Sequence, residues 1–144
     1  MVKDMNTAKT AKTFELWIHF FMGVGAMAGG LGAVLNPTEP MGMSTEALQK
    51  GPFSDFLIPG LFLFLVIGVG NMIAGVIVKK DHKFWPYLSG ALGAILVSWI
   101  VIQCIILQSV VSLHVIFFGI GCIQGLLALY YIWDKKLFLF TTNS

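Results

Sequence analysis

Three long stretches of this chain contain no Asp, Glu, Lys or Arg: residues 16–38, 56–78 and 84–133. An α-helix needs about 20 mainly apolar residues to cross the hydrocarbon core of a bilayer. The first two stretches are each long enough for one such helix, and the third is long enough for two. The sequence therefore predicts an all-α protein, an antiparallel four-helix transmembrane bundle. We place its helices at about residues 14–35, 55–78, 85–107 and 112–132.

These helices leave little chain for anything else. Four spans use most of the 144 residues, so residues 1–144 are interpreted as a single transmembrane domain without a soluble catalytic domain. Charged residues make up 11% of the chain, against about 25% in soluble domains. No cysteine pair has redox spacing, and no His/Cys/Glu cluster has zinc spacing. We therefore expect no cofactor, no metal and no nucleic-acid partner; membrane lipids are the expected surroundings.

The positions of the lysines predict how the bundle is oriented. All nine basic residues are lysines, and eight of them fall on one side of a chain that crosses four times. These eight are Lys3, Lys9, Lys12, Lys79, Lys80, Lys83, Lys135 and Lys136, whereas Lys50 lies in the opposite loop. By the positive-inside rule the lysine-rich side is cytoplasmic. This places both termini inside, and Trp17, Trp85 and Trp133 at the inner boundary of the membrane.

The outer loop carries signals for a short helix. Asn36-Pro37 ends the first span, because the residue before a proline is disfavoured in a helix. Ser44 can cap a helix over residues 45–50, and Gly51 can stop it. We expect this loop, residues 36–54, to pack over the outer end of the bundle.

Glycines four residues apart occur in the first and last spans. Gly25 and Gly29 form one such pair, and Gly121 and Gly125 form the other. Small residues at this spacing let helix backbones approach closely in lipid. The pattern favours packing inside the bundle, and a homodimer face is the alternative.

Polar residues within the spans form two groups by depth. Glu15, His19, Asn71 and Gln124 lie at similar depths in the inner half. Hydrocarbon offers polar groups no partners, so these side chains should face the bundle interior. Their expected role is an interhelical hydrogen-bond set, with a cytoplasm-facing proton or solute site as the alternative.

The second polar group lies toward the outer face. Its members are Asp55, Trp99, Gln103, Gln108 and His114. We expect them to converge into an outward-facing ligand-binding pocket under the outer loop, with Asp55, Gln103 and His114 within about 10 Å of one another, because buried polar groups cost less when they face each other. Capping of the second span by Asp55 is the plainer interpretation.

Two motifs resemble a known group of proteins. The block Pro52-Phe53-Ser54-Asp55-Phe56-Leu57-Ile58-Pro59-Gly60 follows Asn36-Pro37 and Met41-Gly42, and Trp99 precedes Gln103 by one turn. This is similar to a group of small bacterial four-span integral membrane proteins with a Pro-Phe-x-Asp-aromatic-x-Ile-Pro-Gly block. The resemblance implies a four-span topology and brings no catalytic residues. A looser likeness in size and layout links the chain to DoxX-like proteins.

The leading function expected from these features is not enzymatic. The chain is interpreted as an accessory subunit of a membrane protein partner, or as a protein that binds a lipid or small amphiphile at its outer face. A small-solute transporter or channel acting as an oligomer is the alternative. An intramembrane enzyme acting on a lipid or quinone, with His114 and Asp55 as acid and base, is the third.

Overall fold

The computed structural model describes residues 2–135, and within that range the protein is helical, with no strand. Four long helices carry the fold: α1 (Val2–Leu35), α2 (Leu57–Lys79), α3 (Trp85–Leu107) and α4 (Ser112–Asp134). Each contains a segment long and apolar enough to cross a membrane. The prediction of four spanning helices is confirmed, as expected of a multi-pass membrane protein.

The first helix is longer than the apolar stretch that defined it. It begins at Val2, so the polar segment before residue 14 continues the helix. At the other end of the chain, Lys136, which entered the orientation argument, lies outside the described residues.

The helices run antiparallel, so the bundle has two distinct ends. The start of α1, the connection at residues 80–84 and the end of α4 lie together; we call this the termini end. There Lys12 Nζ lies 2.6 Å from Asp81 Oδ1, and Trp85 of α3 packs on Tyr131 of α4 with ring centroids 4.4 Å apart. The segment at residues 36–56 and the turn at residues 108–111 form the opposite end, the loop end.

Trp85 differs in exposure from the two other tryptophans predicted at the inner boundary. Trp17 and Trp133 are 70% and 77% exposed. Trp85 itself is only 2% exposed, because its ring fills the space beside Tyr131 between α3 and α4.

Helices α1 and α2 touch through their backbones. A Cβ added to Gly30 would lie 2.6 Å from the backbone nitrogen of Phe64 and 2.7 Å from the carbonyl oxygen of Gly60. Such distances leave no room for any side chain at Gly30, so glycine is what permits the helices to approach. Gly29, by contrast, has an ordinary contact of 3.4 Å with Leu63.

The predicted packing role of Gly25 is wrong. An added Cβ there would meet no atom within 4 Å, and the residue is exposed. The close approaches of α1 to α2 are at Gly23 and Gly30, two turns apart, so the spacing of four does not mark the contact face of this helix. Sequence spacing alone cannot give the rotation of a helix whose sides are all apolar.

Helices α3 and α4 approach each other in a similar way. A Cβ on Gly93 would lie 2.8 Å from the carbonyl oxygen of Gly121 and 2.8 Å from the backbone nitrogen of Gly125. Gly121 and Gly125 therefore both lie on the α3–α4 contact.

The middle of α2 departs from α-helical geometry. Leu57–Phe62 and Gly70–Lys79 are α-helical, whereas Leu63–Val69 is π-helical. The side-chain amide of Asn71 donates to the carbonyl oxygen of Ile67 inside this segment, over 2.7 Å. Side chains that insert into the backbone ladder are a known cause of helix irregularity, and π-helical turns occur often at functional sites.

The loop end is closed by an apolar cluster. Leu48 and Phe56 from the loop are buried against Ala33 of α1, with Ile106 and Leu107 of α3 packed beside them. A 3-10 helix, Thr45–Leu48, begins after Ser44, whose side chain accepts a hydrogen bond from the Glu46 backbone. It is shorter than the predicted helix, and it has the predicted cap.

Candidate functional site

Five polar side chains from all four helices meet inside the bundle, toward the termini end. They are Glu15 and His19 of α1, Asn71 of α2, Ser89 of α3 and Gln124 of α4, and each has a relative exposure of 0%. We call them the polar cluster. Four of the five are the residues that the sequence places in the inner half; the structure brings these four together and adds Ser89.

His19 is the centre of the cluster. Its Nδ1 lies 2.7 Å from Asn71 Oδ1, and its Nε2 lies 2.6 Å from Ser89 Oγ. Gln124 Nε2 lies 3.1 Å from His19 Nδ1 and donates to Asn71 Oδ1 over 3.1 Å. A single imidazole thus contacts side chains from the three other helices.

The amide orientation of Asn71 assigns the tautomer of His19. Asn71 Nδ2 donates to the Ile67 carbonyl, so its oxygen is the atom that faces the imidazole. An amide oxygen only accepts, so Nδ1 of a neutral His19 carries the hydrogen and donates to it. His19 Nε2 is then the acceptor for the Ser89 hydroxyl. This assignment follows from the hydrogen-bond network.

Glu15 is the exception in this network. Its Oε2 lies 3.7 Å from His19 Nε2, with both side chains at 0% exposure. That distance is too long for a hydrogen bond, and neither carboxyl oxygen of Glu15 has a hydrogen-bond partner. The carbonyl oxygen of the Gln124 side chain is also buried without a partner. The cluster therefore contains a hydrogen-bonded network with one unpartnered amide oxygen, and a carboxyl group that the network does not use.

Ser89 is the member that sequence reasoning missed. Serine is common within membrane helices, so a single serine gives no signal by its residue type. Its position gives no clear signal either: Ser89 lies only one turn from the start of α3, whereas Asn71 and Gln124 lie two turns or more from the ends of their helices.

At the loop end, two of the predicted ligand-binding residues line a groove between α3 and α4. Its volume is about 610 Å³, and we call it the loop-end groove. Gln108, Ser109 and His114 supply its polar groups. The remaining lining residues are Ile100, Val101, Cys104, Ile105, Val110, Val115 and Phe118. Most of the wall is therefore apolar, and the polar atoms are confined to one end.

The other predicted loop-end residues lie elsewhere. Trp99 and Gln103 line a small separate cavity of about 30 Å³ with Leu48 of the loop above it. Asp55 lines neither space; its Oδ1 accepts a hydrogen bond from the Leu57 backbone over 2.9 Å, in the turn just before α2, whose N-cap residue is Phe56. The predicted set is thus divided between a groove, a small cavity and the turn that leads into α2.

Comparison of the chain with protein-family models, curated proteins and solved structures finds no match. Residues 2–135 contain no group of three or more His, Cys, Asp or Glu side chains placed to hold a metal ion. The polar cluster and the loop-end groove are therefore the two features of the molecule that bear on its function.

Proposed function

We propose that this protein binds a single-chain amphiphile or one lipid chain in the loop-end groove. The observation that carries the proposal is the distribution of polarity in a groove of about 610 Å³, a volume in the usual range for small-ligand sites. An apolar wall with polar groups at one end matches a molecule with an apolar tail and a polar head.

The polar end of the groove offers hydrogen-bonding groups suited to a headgroup. His114 Nδ1 accepts a hydrogen bond from the Val111 backbone over 3.3 Å, so Nε2 is the nitrogen that carries the hydrogen of the neutral ring. Gln108 and Ser109 stand at the turn between α3 and α4, beside His114. Together they supply both donors and acceptors where the headgroup of an embedded amphiphile would lie.

The amphiphile site can be tested with a matched pair of valines. Val115 is 63% exposed and lines the groove, whereas Val24 is 61% exposed and lies on α1 outside it. In purified protein, Val115→Trp should weaken binding of a fluorescent single-chain fatty acid about tenfold, because the indole occupies the tail site; tenfold corresponds to about 1.4 kcal/mol. Val24→Trp should leave the dissociation constant unchanged. Equal effects of both substitutions, or no saturable binding by the unsubstituted protein, would rule the proposal out.

The proposed orientation places the loop end outside a bacterial inner membrane and both termini in the cytoplasm. It rests on the sequence positions of eight of the nine lysines, which all fall on one side of a chain that crosses four times. Ser44→Cys should react with a membrane-impermeant thiol reagent added to intact cells, and His82→Cys should not, in a background with Cys104 and Cys122 replaced. Labelling at residue 82 alone would mean that the protein has the opposite orientation and that the groove lies in the cytoplasmic leaflet.

A further inference from the structure

The polar cluster contains a pair of titratable groups that the amphiphile site does not use. We infer that the Glu15 carboxyl and the His19 imidazole form one exchangeable proton site. The site holds one proton in the bundle as packed in this structure and releases it toward the termini end. The ligand is a proton, which needs no cavity. This agrees with the packing, because none of the grooves and cavities described above is lined by Glu15 or His19.

Charge is the first argument. A Glu15 carboxylate beside a neutral His19 would be a buried anion with no hydrogen bond to either oxygen. Burying an uncompensated charge costs several kcal/mol even after relaxation. One added proton removes that charge wherever it resides: the pair is either a carboxylic acid beside a neutral imidazole, or a carboxylate beside an imidazolium.

None of the described side chains that contact His19 from the other helices supplies a compensating charge. Asn71 of α2, Ser89 of α3 and Gln124 of α4 are the side chains that face His19 from the other helices, and all three are uncharged. The nearest basic residue along α1 is Lys12, one turn before Glu15, and its ammonium is paired with Asp81. The pair therefore depends on its own proton for neutrality.

Geometry gives that proton two positions. His19 Nδ1 is committed to Asn71 Oδ1, at 2.7 Å, so Nε2 is the nitrogen free to gain a proton. Glu15 Oε2 lies 3.7 Å from that atom, and a rotation of the Glu15 side chain that shortens the distance by about 1 Å would reach hydrogen-bond range. When Nε2 is protonated it donates to Ser89 Oγ, whose hydroxyl reverses from donor to acceptor. The His19 ring thus keeps both of its partners, Asn71 and Ser89, in either form.

The route to water is shortest at the termini end. Glu15 lies one turn deeper than Lys12, and residues three apart share a helix face. The Lys12–Asp81 ion pair joins α1 to the connection between α2 and α3 above the carboxyl. Opening that contact would let water reach Glu15, so the ion pair should control how fast the proton leaves.

The proton can be observed without altering the polar cluster. The chain has three glutamates, Glu15, Glu39 and Glu46, so in the full-length Glu39→Gln/Glu46→Gln protein a ¹³C-carboxyl glutamate label reports Glu15 alone. We would record its carbon signal, with ¹⁵N-labelled histidine, in lipid nanodiscs over a pH series. At neutral pH we expect one proton on the pair, as an acid carbon signal or an imidazolium signal from His19. Raising the pH should remove that one proton and leave a carboxylate beside a neutral imidazole.

Two results would overturn the inference. One is a carboxylate beside a neutral imidazole already at neutral pH, which would mean that the pair holds no proton. The other is a pair of signals that stays constant over the whole pH range in which the protein remains folded, which would mean that the proton is structural and does not exchange.

The direction of release has a matched test of its own. Asp81→Asn removes the partner of Lys12 and should speed hydrogen–deuterium exchange at the pair several-fold. Asp134→Asn removes the partner of Lys135, 3.5 Å away at the same end of the bundle, and should leave the rate unchanged. Equal rates in the two variants would contradict release past the Lys12–Asp81 contact.

Discussion

The two halves of this bundle are held together by different interactions. Toward the termini end, four of the five fully buried polar side chains join all four helices through directed hydrogen bonds, and Glu15 is the one that does not take part. Toward the loop end, α1 and α2 meet backbone to backbone at Gly30 and Gly60, and an apolar cluster closes the top. In lipid, packing and interhelical hydrogen bonds are the main sources of helix association. The termini half uses both, because Gly93 of α3 also meets the backbone of Gly121 and Gly125 of α4 there, whereas the loop half relies on packing.

This difference implies different responses to substitution. A hydrogen-bonded cluster constrains direction, so its members should tolerate changes of volume better than losses of a donor or acceptor. A glycine contact constrains the distance between two backbones, so it should not tolerate any added side-chain volume. The predictions below test this contrast by free energy of unfolding in detergent, from the largest expected effect to the smallest.

The largest effect should come from adding volume to the α1–α2 contact. Gly30→Leu places a side chain within 3 Å of the backbone of α2, so the two helices must separate; we expect a loss of about 3 kcal/mol. Gly25→Leu is the matched control, since nothing lies within 4 Å of that position, and it should cost less than about 0.5 kcal/mol. Similar costs for the two variants would mean that close approach at Gly30 does not stabilise the loop end.

An intermediate effect should follow removal of an acceptor from the polar cluster. Asn71→Leu keeps a similar volume but leaves His19 Nδ1 and Gln124 Nε2 without the oxygen that they share. A buried donor without a partner costs about 1–3 kcal/mol. Gln103→Leu changes the same chemical group at the loop end, where it lines a small cavity, and should cost less than about 0.5 kcal/mol. If Gln103→Leu lowered the free energy of unfolding more than Asn71→Leu, the hydrogen bonds that stabilise the bundle would lie at the loop end.

The smallest effect should come from a single hydroxyl. Ser89→Ala removes the partner of His19 Nε2 and should cost about 1 kcal/mol, the usual net value of one hydrogen bond. Ser98→Ala lies on the same helix but lines a lipid-facing groove of about 290 Å³ with Phe62 and Ile102. We expect no measurable change for Ser98→Ala. If the two serines behave alike, the Ser89 contact contributes nothing to stability.

The sequence predicts the features that depend on the free energy of transferring side chains from water to lipid. Charge-free stretches locate all four helices, because each charged side chain in hydrocarbon is costly enough to exclude. The same reasoning predicts that Glu15, His19, Asn71 and Gln124 face inward, since polar groups at one depth have only each other as partners.

The features that the sequence does not predict depend on helix rotation and local geometry. Gly25 and Gly30 are both small residues on an apolar helix, and only the direction that α1 faces separates the exposed one from the packed one. Asp55 could cap a helix or face a pocket, and the choice depends on one backbone hydrogen bond. The π-helical segment in α2 has no sequence signal that we can identify, because Leu63–Val69 is as apolar as the α-helical turns on either side.

That segment has a consequence for how the two halves fit together. A π-type hydrogen bond encloses one more residue than an α-type bond, and one residue corresponds to about 100° of rotation around a helix. Helix α2 must present Gly60 to α1 at one end and Asn71 to the polar cluster at the other. The π-helical segment between them sets how far one of these faces is rotated around the helix axis relative to the other. Deleting one residue from Leu63–Val69 would keep the length needed to span a membrane, yet would turn Asn71 away from His19.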